Sequence, residues 1–142
     1  MPPRSDVRPL VRKALVARFN AHQTHAFAAG IGGRFAYAKA VRGWALPYAV
    51  FFFVGADPED SWSERGDEVT IQISVWAKTA GQAEDLASAA FDLFESQTMS
   101  LAGIADFELY RSGIVPTMDE SDETTVIWQA GIELAGLVQT IS

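Results

Sequence analysis

The chain has no cysteine and only two histidines in 142 residues. A disulfide framework, thiolate chemistry and a Cys-ligated metal are therefore excluded. Long hydrophobic runs are missing as well. The longest, Ala49 to Val54, is strand-sized and well short of the roughly 18 apolar residues that suggest a membrane span. The first residues, Met1 to Asp6, lack the apolar stretch of a signal peptide, so the expectation is synthesis in the cytoplasm and no membrane partner. Positive charge is scarce over most of the chain. Eight of the eleven Lys and Arg residues lie between Arg4 and Arg42 with one acid, Asp6, giving that stretch +7. The remaining hundred residues carry three basic and seventeen acidic side chains, or −14. Such a segregated chain can fold so that its two parts neutralise each other, or present opposite poles that meet on neighbouring subunits. Nucleic-acid binding is the weaker expectation, because the acidic part repels phosphate.

What is present is an ordinary globular balance, 49% hydrophobic and 20% charged, in a length that suits one domain over residues 1–142. Val7, Leu10, Val11, Ala14, Leu15, Phe19 and His22 recur at helical spacing and predict a helix from about Val7 to His22. Arg8, Arg12 and Lys13 occupy its other side, Asp6 is the expected N-cap, and Pro9 falls in the first turn. Arg34 to Ala40 and Tyr48 to Val54 read as strands, the second with apolar residues on both faces. Gly55 to Gly66 reads as a long acidic loop carrying Asp57, Glu59, Asp60 and Trp62. Glu68 to Lys78 then alternates, with Val69, Ile71, Ile73 and Val75 on one face and Thr70, Gln72, Ser74 and Trp76 on the other.

A second helix follows from the Thr79-x-x-Gln82 capping box and the stripe Ala83, Leu86, Ala87, Ala90, Phe91 and Phe94. Asp106 to Val115 predicts a strand with a bulge at Gly113, and Pro116 to Glu123 an acidic turn. Thr124 to Val138 predicts a last strand with Val126, Trp128, Ala130, Ile132 and Leu134 on one face. The order implies an α+β fold: a mainly antiparallel sheet of four to five strands with two helices packed on one face.

Motifs of chemistry are few. His22 and His25 stand at i, i+3, but a metal needs further ligands from elsewhere, and a structural role at a helix end is the expectation. Gly30-Ile-Gly-Gly-Arg-Phe35 lacks a Gly-Lys-Ser/Thr ending and precedes a strand, so it reads as a turn. Asp57, Glu59 and Asp60, and Asp119, Glu120, Asp122 and Glu123, are acidic clusters without EF-hand spacing. No Gly-x-Ser-x-Gly elbow is present. The expectation is a protein without catalytic residues, metal or cofactor. Trp44 and Trp62 fall in loops and Trp76 on a polar face, where large aromatics either fold back or anchor a partner.

Several phrases, in this order, resemble the tail terminator or tail-completion proteins of long-tailed bacteriophages. They are Pro47-Tyr48 opening an apolar strand, the acidic stretch with Trp62, and Gly66-Asp-Glu-Val-Thr-Ile-Gln-Ile-Ser-Val-Trp76. The Gly81-Gln-Ala-Glu helix follows, then Trp128-Gln-Ala-Gly-Ile-Glu133. The turn Val115 to Asp122 is more acidic than the family pattern. The resemblance covers nearly the whole chain and implies a virion structural protein at the head-proximal end of the tail, assembled in the host cytoplasm. It implies a homo-oligomer, typically a hexameric ring, whose partners are the tail tube protein and the head-tail connector or stopper protein. DNA would pass through the lumen without specific binding. On this reading Arg8, Arg12, Lys13, Trp44, Asp57, Glu59, Asp60, Trp62 and Trp76 are candidate contacts, and Thr70, Gln72 and Ser74 are candidate lumen residues. A head-completion stopper is the neighbouring alternative. A small ligand- or metal-binding α+β enzyme is the alternative of another class.

Overall fold

Residues 6–60 and 65–141 are described in a computed structural model, those at 56–60 and 65 by backbone alone. Helix α1 (Arg8–Ala21) buries Val11, Ala14, Leu15 and Phe19, the stripe expected from the spacing. Its N-cap position is Val7 rather than Asp6; the Asp6 carboxylate instead accepts the Arg8 N–H at 3.0 Å. His22 ends this helix exposed, outside the stripe, with Nδ1 2.8 Å from the Arg18 carbonyl oxygen. A short helix that periodicity does not reveal, α2 (Ala26–Gly30), begins at His25, whose Nδ1 accepts the Phe27 N–H at 3.1 Å. Both histidines thus serve helix ends.

Strand β1 (Phe35–Tyr37) runs parallel to β2 (Tyr48–Asp60), and β2 is antiparallel to β3 (Arg65–Ala77). Helix α3 (Ala80–Phe94) is followed by β4 (Met99–Leu101), β5 (Ile104–Phe107), β6 (Tyr110–Asp119) and β7 (Trp128–Gln139). The main sheet has the order β1-β2-β3-β7-β6, and β4 and β5 pair separately. The architecture is α+β, with a mostly antiparallel five-stranded sheet.

Several expected boundaries are corrected. The stretch from Gly55 is not a loop: β2 continues to Asp60, with Asp57 opposite Glu68 and Asp60 opposite Arg65. Pro58 is tolerated there because β1 covers only Ala49 to Phe51, so the outer edge of β2 has no ladder at that height. Likewise the expected turn at Pro116 is strand. β6 is the sheet edge, and Pro116 lies within a register shift between Val115 and Met118. The shift anticipated at Gly113 falls between Arg111 and Gly113. Asp106 to Val115 is not one strand but two, and β7 begins at Trp128, leaving Val126 exposed in the connection.

Register makes the core. Ala49 and Phe51 of β2, Ile71, Ile73 and Val75 of β3, and Ala130, Ile132 and Leu134 of β7 line one face and are buried. Helix α3 lies against β3, β7 and β6 on that face. Rings from all three helices, Phe19, Phe27 and Phe94, meet Phe35 of β1 within 5.9 Å between centroids. Burying each such ring contributes about 1.5–3 kcal/mol, and favourable ring pairs add about 0.5–1.5 kcal/mol.

The capping box is present with a variation. Thr79 Oγ1 accepts the Gln82 N–H at 3.1 Å, while Gln82 Oε1 reaches back to the Lys78 N–H at 3.4 Å. Thr79→Ala is expected to cost about 1 kcal/mol, read as a lower urea midpoint at unchanged slope.

Candidate functional site

Residues that alternate with the core set define the outer face of the sheet. Tyr48, Val50 and Phe52 of β2 stand opposite Trp76, Ser74 and Gln72 of β3, which stand opposite Gln129, Gly131 and Glu133 of β7. The middle row is a valley of small side chains. A Cβ on Gly131 would lie 3.0 Å from the Ile73 carbonyl oxygen and 3.1 Å from Val115 Cβ, so glycine lets Val115 close over it. Val50 and Ser74 are buried at the bottom, where Ser74 Oγ accepts from Gln72 Nε2 at 2.9 Å. Of the three candidate lumen residues, Thr70 and Gln72 are half-buried and accessible, whereas Ser74 has no accessible surface.

An aromatic shelf bounds the valley. Trp76 stacks on Tyr48 with centroids 5.5 Å apart, and Trp44 tilts against Tyr48 at 6.2 Å. Trp76 Nε1 donates to Glu120 Oε2 at 2.8 Å, which draws the acidic connection between β6 and β7 onto the shelf. Burial, helped by the Glu120 charge, holds the Tyr48 phenol above its ordinary pKa. Trp44 and Trp76 are therefore brought together, each half-buried, by a tyrosine that was not among the candidate contact residues. The next residues form a turn of their own: the Asp122 carboxylate accepts the N–H groups of Thr124 and Thr125, which lowers its pKa.

The basic candidates lie elsewhere. Arg8 is exposed and pairs with Asp6 at 2.7 Å, Arg12 sits 5.4 Å above the Tyr37 ring, and Lys13 is exposed. Arg12 thus ties α1 to β1, at the sheet margin opposite β6. Two bases of this segment are structural. Arg18 donates to the Leu93 carbonyl, its pKa lowered by burial, and Arg34 donates to the Pro47 carbonyl at 3.0 Å. At the β6 margin Arg111 lies 3.9 Å above the Phe91 ring and pairs with Glu95 at 2.8 Å. Neither the Arg8–Asp6 nor the Arg111–Glu95 pair joins the basic segment to the acidic remainder. Asp57, Glu59 and Asp60 lie at the far end of β2, opposite Glu68, Gly66 and Arg65, and Trp62 lies outside the described residues.

Among the described residues no three His, Asp or Glu side chains come together to hold a metal ion. Among the described residues no helix is long and apolar enough to cross a membrane. An open hollow of about 430 Å³ is lined by Thr98, Asp106, Phe107, Glu108, Tyr110 and Leu137. Its carboxylates are engaged by neighbouring hydroxyls. Glu108 accepts from Thr98 and Tyr110, and Asp106 from Ser100 at 2.7 Å.

The fold has solved counterparts. One is a chain from the "Virion of native gene transfer agent (GTA) particle", with a TM-score of 0.61 and 16% identity over 89% of this chain and 92% of that one. Another, whose name states no function, aligns with a TM-score of 0.63 and 17% identity over 95% and 97% of the two chains. No curated protein matches the sequence. The family model described as "Tail completion protein gp17" matches residues 13–129, which spans α1 to the start of β7. The chain belongs to that family, and its role is the structural one of phage tail completion.

Proposed function

We propose that the chain is one subunit of a ring, typically hexameric, that caps the completed tail tube and joins it to the head-side connector. The observation that carries this reading is the outer face of the sheet. Across β2, β3 and β7 its register positions hold Tyr48, Phe52, Thr70, Gln72, Gln129 and Glu133, with Glu68 beyond, and no Lys or Arg among the described residues. A lumen that DNA must traverse benefits from such a wall, because each basic group that met phosphate would add salt-dependent affinity and slow passage. Thr70 and Gln72 are the residues assigned to that lumen. Asp57, Glu59 and Asp60, at the far end of β2, together with Trp62 and the Trp44–Trp76 shelf, are assigned to contacts with neighbouring proteins of the tail tube or connector. The membership of a like-folded chain in a gene transfer agent virion supports the same setting.

The test is direct. Purified chain is mixed with uncapped tail tubes and with the connector, and the products are imaged and weighed by native mass spectrometry. The expected result is a ring of about six copies on one end of the tube. Binding to the portal side without binding to tubes would instead mark a stopper, and a particle that remains monomeric on every target would defeat the ring.

A further inference from the structure

The strand order sets exposed bases of the N-terminal segment at one margin and acids beside β6 at the other, and among the described residues each margin also exposes apolar side chains. On edge strand β6, Ile114, opposite Ile132 of the core face, is 73% exposed, and Tyr110 and Met118, opposite Ala135 and Gln129 of the outer face, are 53% and 48% exposed. Glu108, Asp119 and Glu120 stand beside them, and Arg111 is already matched by Glu95. At the other margin Val16 of α1, Tyr37 at the end of β1 and Val41 just beyond are exposed. Arg8, Arg12 and Lys13 stand on α1, which Arg12 joins to the Tyr37 ring, and Lys39 and Arg42 follow β1 in the chain. Exposed apolar residues rimmed by charge of one sign mark an interaction surface, and these two rims have opposite signs.

We infer that the β6 margin of one copy packs against the α1–β1 margin of the next copy. The inference rests on the ring reading above and names the surfaces that build it. Four strand intervals at about 4.8 Å separate β1 from β6, so the margins of one molecule stand roughly 19 Å apart and cannot meet each other. A contact between unlike patches is heterologous. It generates a closed ring when the rotation between copies returns to its start. Ile114 is the apolar centre of the contact, and the acids and bases supply orientation and salt-sensitive association.

The lack of cysteine makes the test clean. Full-length chains carrying only Ile114→Cys or only Lys39→Cys are assembled on tail tubes, alone and as an equimolar mixture, and treated with a short bismaleimide. The expected result is a covalent dimer in the mixture and none in either chain alone. A chain with both cysteines should give a ladder up to the ring size. Ile114→Asp, whose position is solvent-exposed in the isolated subunit, should keep its melting temperature while self-association falls about tenfold or more. Lys13→Glu should weaken association in the same way, and Asp119→Lys in a partner copy should recover part of the loss at low salt. Wild-type rings that form on tubes, with no 39–114 cross-link and with Ile114→Asp assembling normally, would overturn this interface and leave the ring intact. A wild-type chain that forms no oligomer with or without tubes would overturn both.

Discussion

Phe27→Ala is expected to destabilise the chain by about 3–5 kcal/mol, the range for removing a buried phenylalanine. Phe27 has no exposed surface and meets three rings edge-on: Phe19 at 5.9 Å, Phe35 at 5.6 Å and Phe94 at 6.2 Å. Those rings belong to α1, β1 and α3, so the residual cavity would open where three elements converge. Its own helix has five residues, too few to persist without tertiary packing. The loss therefore includes the ordering of α2 along with the ring contacts. Thermal and urea unfolding should both register it, with a fall in midpoint temperature on the order of 10 °C. A cost below about 1 kcal/mol would mean that the ring cluster is not a core.

Gly136→Ala is the second large effect, and its sign is set by backbone. An added Cβ would lie 2.4 Å from the Glu108 carbonyl oxygen and 3.1 Å from Leu109 Cδ2. The Glu108–Leu109 segment cannot easily retreat, because Leu109 is buried and its carbonyl accepts the Ser96 N–H at 2.7 Å. Overpacking of this kind costs about 1–3 kcal/mol, and the upper end applies where a carbonyl rather than a side chain must move. Gly81→Ala is the control. Nothing lies within 4 Å of its added Cβ, it sits in the first turn of α3, and alanine should stabilise by about 0.4–1 kcal/mol. Equal melting temperatures for the two variants would contradict the close crossing at Gly136.

These contrasts show which parts of the fold were legible beforehand. Helix α3 was, because Thr79, Gln82 and the stripe from Ala83 to Phe94 are local signals that tertiary structure reinforces. The core face of β3 was legible because strict alternation from Val69 to Val75 admits one periodicity. The far half of β2 was not. Gly55, Asp57, Pro58 and Glu59 have turn composition, and only their pairing with β3 makes them strand. Pro116 misled in the same way, since an edge position removes the penalty that proline ordinarily carries.

The candidate surfaces divide along similar lines. The basic side of α1 follows from helical spacing, so Arg8, Arg12 and Lys13 were visible in the chain. The union of Trp44 with Trp76 through Tyr48 depends on strand register, which single residues do not encode. Glu120 as the acceptor for Trp76 lies 44 positions away and carries no local signal at all. The exposed residues Tyr110, Ile114 and Met118 follow no single period, because two register shifts set Ile114 on the core face and the other two on the outer face of the same edge strand.

Those two irregularities in β6 bear on the life of the protein before assembly. A straight outer strand would offer a continuous row of amide and carbonyl groups to any passing chain, and identical copies held at high concentration would zip into fibrils. Offsets after Arg111 and after Val115, with an imino acid in the second, leave no long in-phase segment for such templating. Copies can therefore accumulate side by side without one serving as the template for the next along this edge.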